Sequence, residues 1–539
     1  MRYSRFLKQL VGVMFVVLLL IGCNEKDADS NDVTKDETEN EAENESSSEV
    51  NETGFPIVDD EIEISMLAPS VPSPDWNDIM IFNEYEEMTN MNIDWLMVSK
   101  DGIKEKTNVM LGTNDYPDAF HTAGISAADL VRYGKQGVFI PLNDLIDEYA
   151  PNLKALLDEY PEIEKGLTMP DGNIYSFPTI YDPEYNTLLM NWKLWLNSEF
   201  LDELGFDEPT TLDEFYNYLV AVKEENPTGN GENNEVPLQV NGDGNLINIM
   251  KGSFGIGTRG ISHEMVDADP ETGELRFMPT TDAYKEMLQF INKLYEEELL
   301  NQDLYTVKSE QATAKGKEGL FGAVVTTNPA TGYNLDYYVG SPTLEGPHGD
   351  HLYSNFVSSL KNIGSFVITD ENPYPEATVR WIDHFYGDEG MRLFFMGIED
   401  ETFYVDDDGE YVYTDLIEDN PEGLLRTEAI SKYLTWRTGS YPSMVVEKYF
   451  KTPTEPADKV EDDKPEEIWP PFTHTEDELE IISSIGGDIE DYVEETRALL
   501  ITGEMSFDKW DEFVDTIENM GLDEYMDAYN AAFERYQEQ

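Results

Sequence analysis

One cysteine, Cys23, serves the whole chain. A lone thiol closes no internal disulfide and builds no thiolate metal cluster, so a disulfide scaffold and a cysteine zinc module are both excluded. Cationic side chains are scarce as well. Lys and Arg number 35 against 111 Asp and Glu, giving a formal net charge of −76. Such a surface repels nucleic acid and anionic lipid, which removes both as partners. It attracts cations instead, so Ca²⁺ or Na⁺ are natural companions; adaptation to a salty or alkaline exterior explains the charge equally well. No GxSxG elbow, HExxH or P-loop stands in a suitable context. The Gly-rich stretch at 255–260 has no dinucleotide-binding strand–helix unit around it. With this many carboxylates, acidic pairs at glycosidase spacing arise anywhere and carry no weight. The composition therefore points away from an enzyme. What is present is ample apolar material: 40% of the residues are hydrophobic and 12% aromatic, enough for two to three cores in 539 residues.

The longest apolar run lies at the start. Arg2, Arg5 and Lys8 form a basic segment, and Leu10 to Gly22 is apolar or small throughout. About 13 residues at 1.5 Å each fall short of a ~30 Å hydrocarbon core, so the run reads as a signal peptide over 1–22. It ends in Leu20-Ile21-Gly22-Cys23, which resembles the lipobox of bacterial lipoproteins. The resemblance implies cleavage before Cys23 and a diacylglycerol on its sulfur. Buried acyl methylenes contribute ~0.8 kcal/mol each, so a multi-chain anchor holds firmly. Residues 23–54 are Asp, Glu, Asn, Ser and Thr with almost nothing large and apolar. They cannot offset their ordering entropy and read as a disordered acidic linker.

Beyond residue 55 the pattern becomes globular. EIEISML (61–67) alternates as a strand, the stretch 77–90 has helical spacing, and NIDWLMV (92–98) reads as a second strand. This strand–helix–strand opening predicts a parallel α/β sheet. A short strand follows at 118–120, then helices over 142–150 and 153–160. MPDGNIYSFP (169–178) carries a turn at Asp171-Gly172 before a strand at Ile174–Phe177. Met190 to Trp195 reads as a strand leading into a helix over 194–204, with Trp192 and Trp195 as core residues. Thr211 to Glu214 forms a capping box for the next helix. Residues 267–277 and 404–412 read as acidic hairpins, and 283–299 as a helix. Strands are expected at 319–326 and 365–369, and a helix at 375–386. The chain closes in helices: a capping box at Thr475 to Glu478, a stripe over 506–520 ended by Gly521, and another stripe over 522–536.

These pieces, in this order, resemble a known family. LIGC, YPDAF (116–120), MPDGNIYSFP (169–178), NWKLWLNSEFLDELGFDEPTTLDEFYNYLVAVKEENP (191–227), GLFGAVV (319–325), SPTLEGPHG (341–349) and the tail over 488–536 are similar to the extracellular solute-binding lipoproteins of carbohydrate ABC importers, the LplA/LipO-like group of the maltose-binding-like class. The resemblance implies an α/β, two-lobed periplasmic-binding-protein-like fold (class II) with a ligand cleft between the lobes and a helical C-terminal extension. It implies lobe 1 from 55–178 plus about 364–430, and lobe 2 from 179–363 plus about 431–539. The chain would cross between lobes near Ile174–Ile180 and return near Asn362–Phe366. It implies a monomer held on the outer face of a Gram-positive cell membrane through Cys23. There it would capture a sugar or oligosaccharide and deliver it to the transmembrane permease subunits. A surface-anchored polysaccharide hydrolase or lyase, an adhesin, or a binding protein for a peptide or other solute are the competing readings.

A sugar ring offers an apolar face to aromatic rings and a rim of hydroxyls to polar side chains. In this class the cleft is built from loops after strands and from the crossings. The ligand-binding candidates are therefore Trp76, Asp118, Thr122, Tyr181, Asn328, Tyr333, Trp436 and Arg437, each aromatic among them also explicable as core. The negative field disfavours polyuronate ligands unless Ca²⁺ or Arg437 compensates. Relatives in the class carry a Ca²⁺ loop of the form D-x-N-G-N-G-x-x-D-E-I-P. Here it aligns with Asn226, Thr228, Asn230, Glu232, Asn234 and Glu235, within the stretch 226–237. Both aspartates have become Asn and one Asn has become Thr. Affinity for Ca²⁺ follows ligand charge, so a weak Ca²⁺ site and a plain Asn/Gly turn both fit. No other cofactor is expected. His348 and His351 lack a third metal ligand.

Overall fold

The computed structural model describes residues 50–70, 75–190, 192–434, 441–450 and 452–539. Cys23, the signal segment, the linker up to residue 49, Trp436 and Arg437 lie outside them; residues 50–54, expected in the disordered linker, are instead tied to the fold, Val50 bridging Val58 and Asn51 N donating to Ile57 O at 2.8 Å. Two four-stranded sheets, each with its own hydrophobic core, organise the rest.

The first sheet opens as the apolar spacing predicts. Strand β1 (Ile62–Ser70) pairs in parallel with β2 (Met91–Ser99) over nine residue pairs, Ile62 with Met91 through Ser70 with Ser99. The helix Met80–Thr89 connects them and stops at Asn90, whose φ of 60° is left-handed, a conformation Asn tolerates. Strand β3 (Ala119–Ile125) lies parallel on the other side of β1. The fourth strand, Gly364–Ile368, runs antiparallel to β3, so the sheet is mixed rather than parallel throughout. The core beneath it is aromatic: Trp76 meets Trp95 at 4.9 Å and His121 at 5.2 Å between ring centroids, with Phe82 and Trp381 alongside.

The second sheet orders Tyr338–Gly340, Lys193–Asn197, Phe321–Thr326 and Val236–Gln239. The strand expected at 190–195 begins three residues later and runs to Asn197. The Asn197 side chain then accepts from Phe200 N at 3.2 Å, so the helix starts at Ser198 rather than at Leu194. At Thr211 only half of the expected box forms: Thr211 Oγ1 accepts from Glu214 N at 3.1 Å, but the Glu214 carboxylate takes Thr210 N at 2.9 Å. The Thr475 to Glu478 box is complete. Helices Gly487–Ile501, Trp510–Asn519 and Leu522–Glu538 bury Ile489, Val493, Phe513, Ile517 and Tyr525 in the second sheet's core. Gly521 has a φ of 107°, which admits the sharp joint between the last two helices. Arg497 locks this extension down, its guanidinium 2.7 and 3.3 Å from the two Asp243 carboxylate oxygens.

Between the sheets, three segments run side by side. Phe177 and Phe366 exchange backbone bonds of 2.8 and 3.0 Å. Thr179 N donates to Asn362 O, and Lys361 N donates back to Thr179 O. Ile180–Tyr181 pairs in parallel with Met444–Val445 on one side and bonds Ser359 on the other. The strand expected at Ile174–Phe177 is reduced to the single bridge at Phe177, because Pro178 has no N–H with which to extend it.

Candidate ligand-binding cleft

The first two of these segments floor a cavity of about 620 Å³. Its lining combines the crossings (Tyr181, Val357, Lys361), the start of the strand Lys193–Asn197, the loop after Phe321–Thr326 (Thr327, Asn328) and the segment at 450–453. A smaller cavity beside Ser253 and Tyr353 holds only about 10 Å³, too little for any solute.

Local structure explains each contributor. Tyr181 is half-buried and fixed by its backbone bond of 2.8 Å to Ser359 O. Burial raises its phenol above the ordinary range. Lys193 begins a buried strand, and its Nζ donates to Met190 O at 2.5 Å and Thr187 O at 3.4 Å. Burial pulls its ammonium down to about 8. Lys361 is likewise lowered by burial, and its Nζ lies 5.8 Å from the centre of the Tyr181 ring. Trp195 donates Nε1–H to Thr326 O at 3.0 Å. Asn328 caps the short helix Pro329–Tyr333, accepting from Ala330 N at 2.9 Å. Thr187, Thr331 and Thr452 add hydroxyls. Aromatic and aliphatic surface beside hydroxyls, an amide and two ammonium groups suits a polyhydroxylated ligand.

Tyr181 and Asn328 are thus brought together as the sequence suggests. Trp195, read from sequence as core, lines the cleft while remaining 5% exposed. Trp76 is 1% exposed among Phe82, Trp95 and His121, so it offers no face to a sugar; the loop-like neighbours that recommended it deliver it to the core. Asp118 does not line the cleft: its carboxylate accepts from Ser65 N at 2.7 Å and Ser65 Oγ at 2.8 Å, tying β3 to β1. Thr122 is buried in β3 at a φ of 52°, a rare conformation for a β-branched residue, where the pairing with Gly364–Ile368 slips register. Tyr333 packs on Phe321 at 5.9 Å and closes over Gly316, where a Cβ would stand 2.6 Å from its ring. Lys193 and Lys361 were missed by sequence reading. The signal for Lys193 was a lysine amid the apolar letters of NWKLW; for Lys361 there was none.

The loop at 226–235 is laced by hydrogen bonds among its own side chains. Gly229 and Gly231 take left-handed φ values of 62° and 79°. Thr228 Oγ1 donates to Asn226 Oδ1 at 3.1 Å and also bonds Glu235 Oε1. Asn230 Nδ2 donates to Asn234 Oδ1 at 2.8 Å, and Glu232 N donates to Asn230 Oδ1 at 2.7 Å. All six residues of the sequence motif therefore share one loop, with Glu232 and Glu235 as its carboxylates. His348 and His351 go to separate partners, Glu286 at 2.8 Å and Asp463 at 3.0 Å.

No family model matches the chain. Among curated proteins it is 31% identical over 563 residues to the fructooligosaccharide ABC transporter substrate-binding protein FusA of Streptococcus pneumoniae, spanning 100% of this chain and 99% of FusA. It is 24% identical to the lipoprotein LipO of Bacillus subtilis over 69% of this chain and 72% of LipO. The solved structure of FusA in complex with kestose superimposes with a TM-score of 0.71 at 28% identity, covering 88% of this chain and 99% of that one. The chain belongs to the family of ABC-transporter substrate-binding proteins. As a substrate-binding protein it is not an enzyme, and its two-sheet α/β architecture with a helical C-terminal region is the class II solute-binding fold. An EF-hand mutant of FusA, in complex with fructo-nystose, has the same TM-score of 0.71.

The division of labour between tryptophan and tyrosine is testable. Trp76→Ala should cost about 3–5 kcal/mol of stability in urea titrations and leave ligand affinity unchanged. Tyr181→Ala should instead weaken the ligand by roughly 2- to 10-fold, the worth of one aromatic contact, with a smaller loss of stability.

Proposed function

We propose that this substrate-binding protein captures a short oligosaccharide on the crossing segments and hands it to a membrane permease. The observation that carries the reading is the cleft at 181–195, 327–331, 357–361 and 450–453, where the second sheet, two of the crossings and the segment at 450–453 meet, with Tyr181 and Phe450 packed against the first core. Its volume of about 620 Å³ lies in the range of small-ligand sites, roughly 300–1,000 Å³. FusA's names, a fructooligosaccharide-binding protein solved with kestose, support the same ligand class. In this reading the crossings are the hinge and the two sheets are the lobes. Leu434, Met444 and Tyr449 pack in the first core and Ala457 beside Leu189, so lobe 1 extends to about 450 rather than ending near 430. Ligand selects the closed form, which the permease reads. Cys23 carries the lipid anchor, and the protein works as a monomer on the outer face of a Gram-positive cell. LipO's name as a lipoprotein supports the anchor.

Thermal-shift scanning of the purified protein against neutral and acidic mono- and oligosaccharides should give a saturable rise with one sugar family. At 100 times Kd the rise corresponds to about 2.7 kcal/mol. A flat response to every sugar, with a rise on a peptide pool, would move the ligand out of the carbohydrates.

The loop at 226–235 is proposed to hold Ca²⁺ weakly, through Asn226, Thr228, Asn230, Glu232, Asn234 and Glu235. The EF-hand attributed to FusA supports the site. Since affinity follows carboxylate count, Asn226→Asp with Asn234→Asp should tighten Ca²⁺ by about tenfold or more in isothermal titration, and EDTA should lower the melting temperature of that variant more than of the natural protein. Equal Ca²⁺ response in both would reduce the loop to a structural turn.

A further inference from the structure

The cleft is cationic in an acidic chain. Asp and Glu make up 111 of the 539 residues, yet none of the 14 residues lining the cleft is one. Two of them are lysines. Elsewhere several lysines find carboxylates: Lys459 pairs with Glu208 and Glu455, Lys448 with Asp388, Lys432 with Glu422 and Lys223 with Glu298, whereas the buried Lys251 bonds Asn248 Oδ1 and Glu264 O. Among the described residues, Lys193 and Lys361 have no such partner. The Lys193 ammonium spends its bonds on the Thr187 and Met190 carbonyls. The Lys361 ammonium lies over the Tyr181 ring, 5.8 Å from its centre. An ammonium without a counter-ion is costly when buried, as Lys193 is, or half-buried, as Lys361 is, and burial alone holds both amines below the ordinary lysine range, with no neighbouring carboxylate opposing it. The lining of this cleft holds none of the chain's many carboxylates.

Resting on the oligosaccharide reading above, we propose that the cleft selects sugars bearing an anionic substituent, a carboxylate or a sulfate ester, with Lys361 as its ion-pair partner and Lys193 as a second cation held in place by the Thr187 and Met190 carbonyls. Ligand binding then supplies the missing counter-charge. A charge-assisted N–H···O contact in a partly dehydrated cleft is stronger than a neutral one. The overall negative field does not forbid it: repulsion from exposed carboxylates is screened beyond about 8 Å at physiological ionic strength, whereas a contact inside the cleft is screened much less. The field slows capture of an acidic sugar, and the paired lysines retain it once captured.

The test uses the purified protein and four probes in isothermal titration: a galacturonic-acid trimer, its neutral methyl ester, a sulfated disaccharide and neutral kestose. At least one acidic probe should bind about tenfold or more tightly than the methyl ester, and the difference should shrink as salt is raised. The trimer and the disaccharide tell carboxylate from sulfate. Lys361→Met should abolish most of that preference, weakening the preferred acidic probe about fivefold or more beyond any loss of methyl-ester affinity. Lys193→Met should do the same, and Lys193→Arg should restore it in a variant whose circular dichroism matches the natural protein. If the methyl ester or kestose binds as tightly as both acidic probes, the inference is overturned while the oligosaccharide reading stands. If Lys361→Met weakens acidic and neutral probes equally, the residue shapes the cleft and selects no charge, and the inference is again overturned. If none of the four binds, the oligosaccharide reading falls and the inference falls with it.

Discussion

The backbone bonds that tie residues 177–182 to 359–366 and 443–445 are the constraint on which the cleft depends. Phe177 and Phe366 exchange two bonds, Thr179 pairs with Lys361 and Asn362, Tyr181 takes Ser359, and Ile180 and Asp182 take Ser443 and Val445. Side chains reinforce them: Thr179 Oγ1 meets Ser365 Oγ at 2.8 Å and accepts from Tyr441 N at 2.9 Å. Buried backbone groups must be satisfied, and here three distant parts of the chain satisfy one another. Tyr181 and Lys361 are brought to one surface by this ladder although 180 residues apart, and every polar group the cleft offers is positioned relative to them. A few backbone segments can also absorb a rotation that two packed cores cannot, which is what hinge closure requires.

Charge is the second organising feature. A formal charge of −76 works against compactness, and the molecule answers with well-filled cores rather than with surface ion pairs, which contribute little individually. The exceptions are buried and specific. Arg497 against Asp243 secures the C-terminal helices, and Arg276 against Asp267, at 2.6 Å, secures the short hairpin at 266–277. Against this background the carboxylate-free cleft is a local reversal of sign, and it gives the site a chemical preference that shape alone would not.

Much of the fold was legible because it follows local periodicity. The alternation in EIEISML, the stripe through 283–299 and the box at Thr475 each reappear as the expected element. Errors cluster where a single side chain decides a boundary, as Asn197 does by starting a helix four residues later than expected, or where pairing is non-local, as in the antiparallel Gly364–Ile368 that turns a parallel sheet into a mixed one. The site was less legible. Tyr181 and Asn328 could be placed from their positions after strands. Trp76 could not be told from a cleft residue, because its polar neighbours lie in the chain while its packing partners Trp95 and His121 arrive from other strands. Lys361 carried no local signal at all, since its meaning comes from Tyr181 across the ladder.

Hydrogen–deuterium exchange with and without the oligosaccharide that most raises the melting temperature tests the central claim most directly. Slower exchange on saturation should concentrate in 179–195, 326–331, 357–366 and 443–453, the crossings and the cleft they floor, with the loop at 226–235 unchanged. Protection confined to other surfaces, with the crossings exchanging as in the free protein, would contradict the account.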